Sequence, residues 1–413
     1  MKRIVRHNAE EKAWPPFVPH AAAEERIEVA IPYVLIQQDC IPHYRIPVFK
    51  LLSSCLEMHV EFVADTQLDI PYMRVVDGAQ HGLRFAKAKT HLIRLPRAPL
   101  LTWQPASIRF FFRERPNVLI AQGSINCLTS WGLCCLGRVM GIPVLLWGHG
   151  LLREESGIRW WLRKALYRLA SGQLLYGQHA RSLLEKRGFD PATLHVVYNS
   201  LEYDVQLAVD AEIGIRDEVA VRMELGVAID AGMVVFTGRL QAEKRLDLLI
   251  EAVGLLAEQG KCVHVALVGD GCERSRLESL AEDWGIAGWV HFLGAIYDER
   301  RLGAIIRAAD LAVIPAAAGL SVIHALTYGT PVLVHDRLED HGPEHEAVEV
   351  GLTGFYYKFN DVQDLVEKIA MALFPRPRKP YMTDQCKTVI NELYNPHRQV
   401  ATIIGAVRSV TKL

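Results

Sequence analysis

No part of the chain has fewer folding options than residues 311–334, which read LAVIPAAAGLSVIHALTYGTPVLV. Leu311, Ala312, Val313 and Ile314 form a short apolar run with branched side chains, the pattern of a strand buried on both faces. Residues 315–319 are small and turn-forming, and end in Gly319. From Leu320 the period changes. Leu320, Ile323 and Leu326 share one helical stripe until Gly329-Thr330-Pro331 stops it, and residues 332–334 begin another strand. Such a strand–loop–helix–strand unit commits its surroundings to a parallel sheet covered on both faces. Gly319 and Ser321 stand at the helix start, where free N–H groups and the helix dipole favour an anion. An ordinary turn that binds nothing has the same local pattern, so the unit fixes architecture before function.

The alternation extends along the chain. In the first half, apolar runs at 31–36, 59–64, 117–121, 143–147, 173–176 and 195–198 alternate with helical stretches, the first at 46–56. Residues 37–45 (QQDCIPHYR) read as a polar loop, and 201–231 as a linker followed by a lead-in helix. A second series runs through 233–237, 263–268, 291–294, 311–314, 332–334 and 354–357. This predicts an α/β chain of two Rossmann-like, doubly wound parallel-sheet domains facing each other across a cleft. The expected divisions are a loose arm at 1–26, an N-terminal domain at 27–200, the linker at 201–231, a C-terminal domain at 232–375 and a helical tail at 376–413. The tail has the length to cross back to the N-terminal domain.

A length of 413 residues suits two or three cores, and a net charge of -1 argues against a dedicated nucleic-acid binder. The total hides an asymmetry. Residues 1–200 carry 25 Lys and Arg against 16 Asp and Glu, and the remainder 21 against 31. The eight cysteines show neither a Cys-x-x-Cys pair nor zinc spacing, so reduced thiols are expected. No apolar run approaches the roughly 18–20 residues of a membrane span. The expected location is the cytoplasm, with peripheral attachment to the inner face of the cell membrane. The basis is residues 74–115, with nine Lys and Arg, Trp103 and Phe110 to Phe112, and the run RWWLRKALYR at 159–168.

Several short motifs fall on the expected strand ends. In the second half they are Gly238-Arg239-Leu240 with Lys244, Val268-Gly269-Asp270-Gly271, His291-Phe292-Leu293-Gly294, GLSVIHALTYGTPVL and Gly351-Leu-Thr-Gly354. In the first half they are Pro42-His43-Tyr44-Arg45-Ile46-Pro47, Trp147-Gly148-His149-Gly150 and Val197-Tyr198-Asn199-Ser200. Order and spacing together resemble the family 4 (group 1) GT-B glycosyltransferases of bacterial polysaccharide and lipopolysaccharide assembly, over about residues 30–400. The resemblance implies retaining transfer of a sugar from a nucleotide-sugar donor to a glycan or lipid-linked glycan acceptor. It implies Arg239, Lys244 and His149 as catalytic residues, the two cations gripping the diphosphate. Gly238, Gly269, Gly271, Phe292, Leu293, Gly319, Leu320, Ser321 and His324 would complete the donor site, and His43 and Arg45 would face the acceptor. The chemistry is consistent: charge developing on a leaving diphosphate needs fixed cations. No Asp-x-Asp pair occurs, so neither a metal nor another cofactor is expected.

One departure stands out. The family usually carries two glutamates eight residues apart, where this chain has Ala316 and His324. Glu344 or Glu346, in the polar stretch HGPEHE, is the expected substitute carboxylate. The loss also leaves open a catalytically impaired nucleotide- or glycan-binding scaffold, and less readily a nucleotide-sugar epimerase.

Overall fold

The computed structural model describes residues 31–69, 74–94, 96, 99–228, 230–374 and 380–411. The expected arm at 1–26 and Arg97 of the basic stretch lie outside these residues.

The N-terminal domain runs β1 (Tyr33–Cys40), α1 (Ile46–Ser53), β2 (His59–Asp65), β3 (Phe85–Lys87), β4 (His91–Ile93), β5 (Leu101–Trp103) and α2 (Pro105–Glu114). It continues with β6 (Val118–Gln122), α3 (Leu128–Met140), β7 (Val144–Gly148), α4 (Gly157–Leu169), β8 (Gly172–Leu175), α5 (Gln178–Lys186) and β9 (Leu194–Val196). Seven strands form a parallel sheet in the order β3-β2-β1-β6-β7-β8-β9, and β4 and β5 form a separate antiparallel hairpin. Strand alternation explains the layers. Val34 and Ile36 join one apolar cluster with Phe49 and Phe62, while Leu35 joins the cluster on the opposite face with Phe111 and Leu133.

The C-terminal domain follows as α6 (Tyr203–Glu212), α7 (Ile215–Glu224), β10 (Gly232–Thr237), α8 (Leu246–Glu258), β11 (Val263–Val268), α9 (Arg274–Asp283), β12 (Val290–Gly294) and α10 (Glu299–Ala308). Then come β13 (Leu311–Ile314), α11 (Leu320–Thr327), β14 (Val332–His335), β15 (Gly354–Tyr357), α12 (Val362–Leu373), α13 (Pro380–Glu392) and α14 (Pro396–Val410). Its six-stranded parallel sheet has the order β12-β11-β10-β13-β14-β15. Each sheet therefore has one point where the winding reverses, between β1 and β6 and between β10 and β13. Ligands of open α/β sheets bind outside the strand carboxyl ends at such points.

Three expectations change. The first strand does not stop at residue 36 but continues through Cys40. Gln37 and Gln38 are polar yet buried, because the Gln104 side chain accepts from Gln37 Nε2 at 3.1 Å and donates to the Gln38 carbonyl at 3.3 Å. Residues 201–231 are not a linker with one helix; they hold α6 and α7, packed on α10. Their polar character is spent on ion pairs, Arg307 with Asp210 and Glu218, and Arg222 with Asp310. The tail is two helices with different partners. α13 packs on α11, while Val400, Ile403, Ala406 and Val407 of α14 enter the N-terminal core beside Phe49 and Trp147. Gln399 secures the crossing by donating to the Tyr198 carbonyl and accepting from the Ser200 hydroxyl.

Candidate active site

The cavity lies on the N-terminal side, measures about 930 Å³, and is walled by the ends of β1, β6 and β7 with Glu339 and Asp340 from the other domain. Arg45 and His149 line it; Arg239, Lys244 and the donor-loop glycines do not. His43 is exposed and outside the wall, where Tyr44 takes its place. The resemblance had placed His43 and Arg45 together on the acceptor, and the fold separates them.

His149 follows β7 in a turn fixed from three directions. A side chain at Gly148 would meet the Gly123 carbonyl of the neighbouring strand end at 3.0 Å. Gly150 has φ +67°, and a Cβ there would come within 2.7 Å of Leu175. Arg163 donates to the Gly150 carbonyl at 3.1 Å while its guanidinium grips Glu155 at 2.7 and 2.8 Å. The glycines flanking His149 thus answer to crowding from β6 and β8, and the imidazole is left exposed on the cavity wall, edge-on to Tyr176 at 5.0 Å. Surrounding protein and, second, the Arg45 guanidinium push its pKa down to about 4, so the ring is neutral at physiological pH.

Asp39 is a wall residue that the sequence reading passed over inside its polar loop. The residue is 6% exposed at the end of β1, beside the winding reversal, and its carboxylate accepts from Thr102 Oγ1 at 2.9 Å. Burial raises its pKa, against the pull of that hydrogen bond. The signal available in the sequence was its place as an acid ending the first strand.

On the C-terminal side, Arg239 follows β10 and Lys244 precedes α8. Lys244 Nζ reaches the Ala317 carbonyl at 3.5 Å, in the loop between β13 and α11. Burial lowers the Lys244 pKa against the opposing pull of Glu243, and the Arg239 charge acts in the lowering direction too, so Arg239 lies within electrostatic reach of Lys244. Beside them α11 begins at Gly319 with no side-chain cap, and the space where a Cβ would stand is open. A partly desolvated cation and an uncapped helix start converge there, which is an anion-binding arrangement. The glycines behind it have a packing duty. Gly269 has φ +142°, and a Cβ would lie 1.8 Å from the Gly238 carbonyl; one at Gly271 would lie 2.2 Å from the Leu240 carbonyl. Phe292 lies under the Arg274 guanidinium, 5.6 Å away, and Leu293 packs against the core.

The replacements for the glutamate pair are placed otherwise than expected. Ala316 is buried, and His324 Nε2 is bound to Glu299 of α10 at 2.8 Å, with Tyr328 donating to the same oxygen at 2.7 Å. Glu346 accepts from the backbone N–H groups of Gln178 and His179 at 2.6 and 2.9 Å, so it caps α5 of the other domain. Glu344 is buried and accepts from Asn199 Nδ2 at 2.8 Å, with burial raising its pKa. Both carboxylates join the domains, and neither lines the cavity. His341 holds the loop between β13 and α11 instead: its Nδ1 accepts from Ala318 N–H at 3.0 Å, its Nε2 donates to the His335 carbonyl at 2.8 Å, and Gly342 N–H adds a bond to the Ala318 carbonyl at 2.7 Å. Nothing along the chain pointed to this clamp beyond a dense polar stretch. Among the described residues no group of three acidic, His or Cys side chains is placed to hold a metal ion.

Residues 222–384 match the family described as Glycosyl transferases group 1. The chain is 32% identical over 166 residues to granule-bound starch synthase 1 of Pisum sativum, covering 38% of this chain and 26% of that protein. It is 36% identical over 150 residues to the D-inositol 3-phosphate glycosyltransferase of Gordonia bronchialis, covering 33% of this chain and 32% of the relative. It thus spans only about a quarter to a third of these relatives. Among solved structures, Anabaena Alr3699/HepE in complex with UDP superimposes with a TM-score of 0.68 at 18% identity, over 92% of this chain and all of that one. The fold is the two-domain GT-B fold.

Proposed function

We propose that the chain is a glycosyltransferase of the hexosyl-transferring class, moving a sugar from a nucleotide-sugar donor to a glycan or lipid-linked glycan. The observation that carries this reading is the convergence of Arg239, Lys244 and the open start of α11. The family match covers those residues, and UDP in the complex of the similarly folded Anabaena protein supports a nucleoside diphosphate as their ligand. In this reading the donor diphosphate lies on the two cations, which stabilise the charge developing as the sugar–phosphate bond breaks. They supply that charge without a metal. His149, neutral and facing the cavity, would hydrogen-bond the transferred sugar, and departure of the diphosphate on the face from which the acceptor hydroxyl attacks would give retention.

The N-terminal surface supports a membrane-bound acceptor. Ile158 and Trp161 of α4 are 78% and 66% exposed, next to Arg159 and Arg168. Arg159 also lines the cavity, so the apolar face continues to the mouth. Arg163 and Tyr167 of the same basic run are buried and take no part in it. No described helix is long and apolar enough to cross a membrane.

A thermal-shift panel of UDP, GDP, TDP and CMP tests the donor side. A ligand at about 100 times its dissociation constant stabilises by roughly 2.7 kcal/mol. One nucleotide raising the melting temperature supports the reading, and no shift with any of them counts against it. The occupation of His324 by Glu299, together with the buried Ala316, favours a second reading, a scaffold that binds nucleotide or glycan without transfer. In that case the shift is present and turnover absent.

A further inference from the structure

Among the described residues Arg45 is a cation without a counter-ion. It lines the cavity, with its guanidinium carbon 5.0 Å from the Trp147 ring centroid and 5.3 Å from that of Tyr176. Its Nη1 donates to Gln38 Oε1 at 2.8 Å. Among the described residues no carboxylate forms an ion pair with it. The acids of the same wall are committed or remote from it: Asp39 accepts from Thr102, Glu155 holds Arg159 and Arg163, Glu339 and Asp340 pair with Arg337, and Asp69 is exposed.

The immediate surroundings add further donors. Gln38 Nε2, Arg45 Nε, Trp147 Nε1 and the Tyr176 hydroxyl are all buried with no hydrogen-bond partner. The first three are N–H groups that can only donate, so the protein dipoles around the guanidinium reinforce its positive potential. The faces of Trp147 and Tyr176 offset part of the cost of desolvating a cation, but they supply no acceptor. A neutral sugar hydroxyl can accept from these donors but leaves the guanidinium charge uncompensated. An oxyanion brings acceptors alone and supplies the missing charge, through charge-assisted bonds.

We infer that the cavity is the site of an acceptor bearing an oxyanion, a carboxylate or a phosphate group, bound on Arg45 between Trp147 and Tyr176. The word acceptor rests on the glycosyl-transfer reading; the anion site does not. Exposed Arg94 and Arg153 on the same wall give the approach the same sign of charge.

The test is calorimetric titration of the full chain with methyl glucuronide, glucose 6-phosphate and methyl glucoside. It is done in an Arg239→Ala/Lys244→Ala background, so that phosphate is not captured by the C-terminal cations. At least one anionic sugar should bind about tenfold or more tightly than methyl glucoside, and which of the two does so separates carboxylate from phosphate. Adding Arg45→Gln should abolish that preference, and Arg45→Lys should keep part of it with a preserved melting temperature. Should Arg45→Gln not fold, Arg45→Lys carries the test, since a point charge loses the planar fork and weakens anionic binding several-fold. Equal affinity for the neutral sugar, no binding of any probe, or a preference untouched by the Arg45 changes overturns the inference. Nucleoside diphosphate binding by the unaltered chain is measured separately, so failure of the transfer reading is distinguishable from failure of this one.

Discussion

At the scale of single residues, the proposed roles of Arg239 and Lys244 allow catalysis to be separated from stability. Both stand at the mouth of the C-terminal sheet, partly exposed, so Arg239→Ala should move folding stability by no more than about 0.5 kcal/mol. Transfer should fall by a factor of roughly 100 to 1000, the cost of removing one preorganised partner from a developing anion. Arg239→Lys should not restore full rate, because a point charge cannot reproduce a bidentate grip. Melting and initial-rate measurements on the same preparations check both halves. His341 gives a prediction with a sign. Burial drops its pKa from 6.5 to about 4, and its Nδ1 must stay unprotonated to accept from Ala318. The unfolded chain therefore takes up the proton first. The contribution is complete above about pH 6.5 and is lost as pH falls from there through 4. His264, which is buried, is shifted to about 4 as well and adds to the same window. The urea midpoint should fall between pH 7.5 and 4.5, and less steeply in His341→Gln; a flat profile in the parent protein would contradict the assignment. Arg239 and His149 were legible because they follow predicted strands. The clamp by His341 was not, since it depends on a ring reaching two backbone segments 23 and six residues away.

At the scale of elements, the joins between domains come from side chains whose sequence neighbours say nothing about them. Glu346 caps α5 from the other domain, 168 residues from Gln178. Glu346→Gln should cost about 0.5–2 kcal/mol, as for a lost helix cap, and should speed amide exchange at Gln178 and His179. Unchanged exchange there would show that the cap is not maintained in solution. The crossing helix α14 offers a second case. Ile403 is fully buried in the N-terminal core, so Ile403→Ala should destabilise by about 2–5 kcal/mol in equilibrium unfolding, although the residue lies far beyond that domain in sequence. The strands of both sheets were readable from apolar runs, because burial on both faces leaves a continuous signal, except the edge strand β3, whose three residues are only partly buried or exposed. The hairpin of β4 and β5 was not, because its three-residue strands lie among cations and present partly exposed side chains. Helices α6 and α7 were obscured by residues whose charges are matched in space rather than along the chain.

At the scale of the whole molecule, one anionic ligand is proposed for the N-terminal cavity at Arg45 and another for the C-terminal cations Arg239 and Lys244. In the proposed function the exposed face of α4 would carry the contact with a lipid surface. Trp161→Ala together with Ile158→Ala should weaken co-sedimentation with anionic vesicles at low salt, where basic residues contribute about 1 kcal/mol each. Equal sedimentation of parent and variant would assign that face to something else. The central claim is that the C-terminal cations catalyse departure of a nucleoside diphosphate. It is tested most directly by following nucleoside diphosphate release from a panel of radiolabelled nucleotide-sugars, with the parent protein and Arg239→Ala side by side. The account predicts release from at least one donor by the parent, reduced roughly 100- to 1000-fold in the variant at an unchanged melting temperature. Release at equal rates from both proteins, or from no donor at all with the parent, would contradict it.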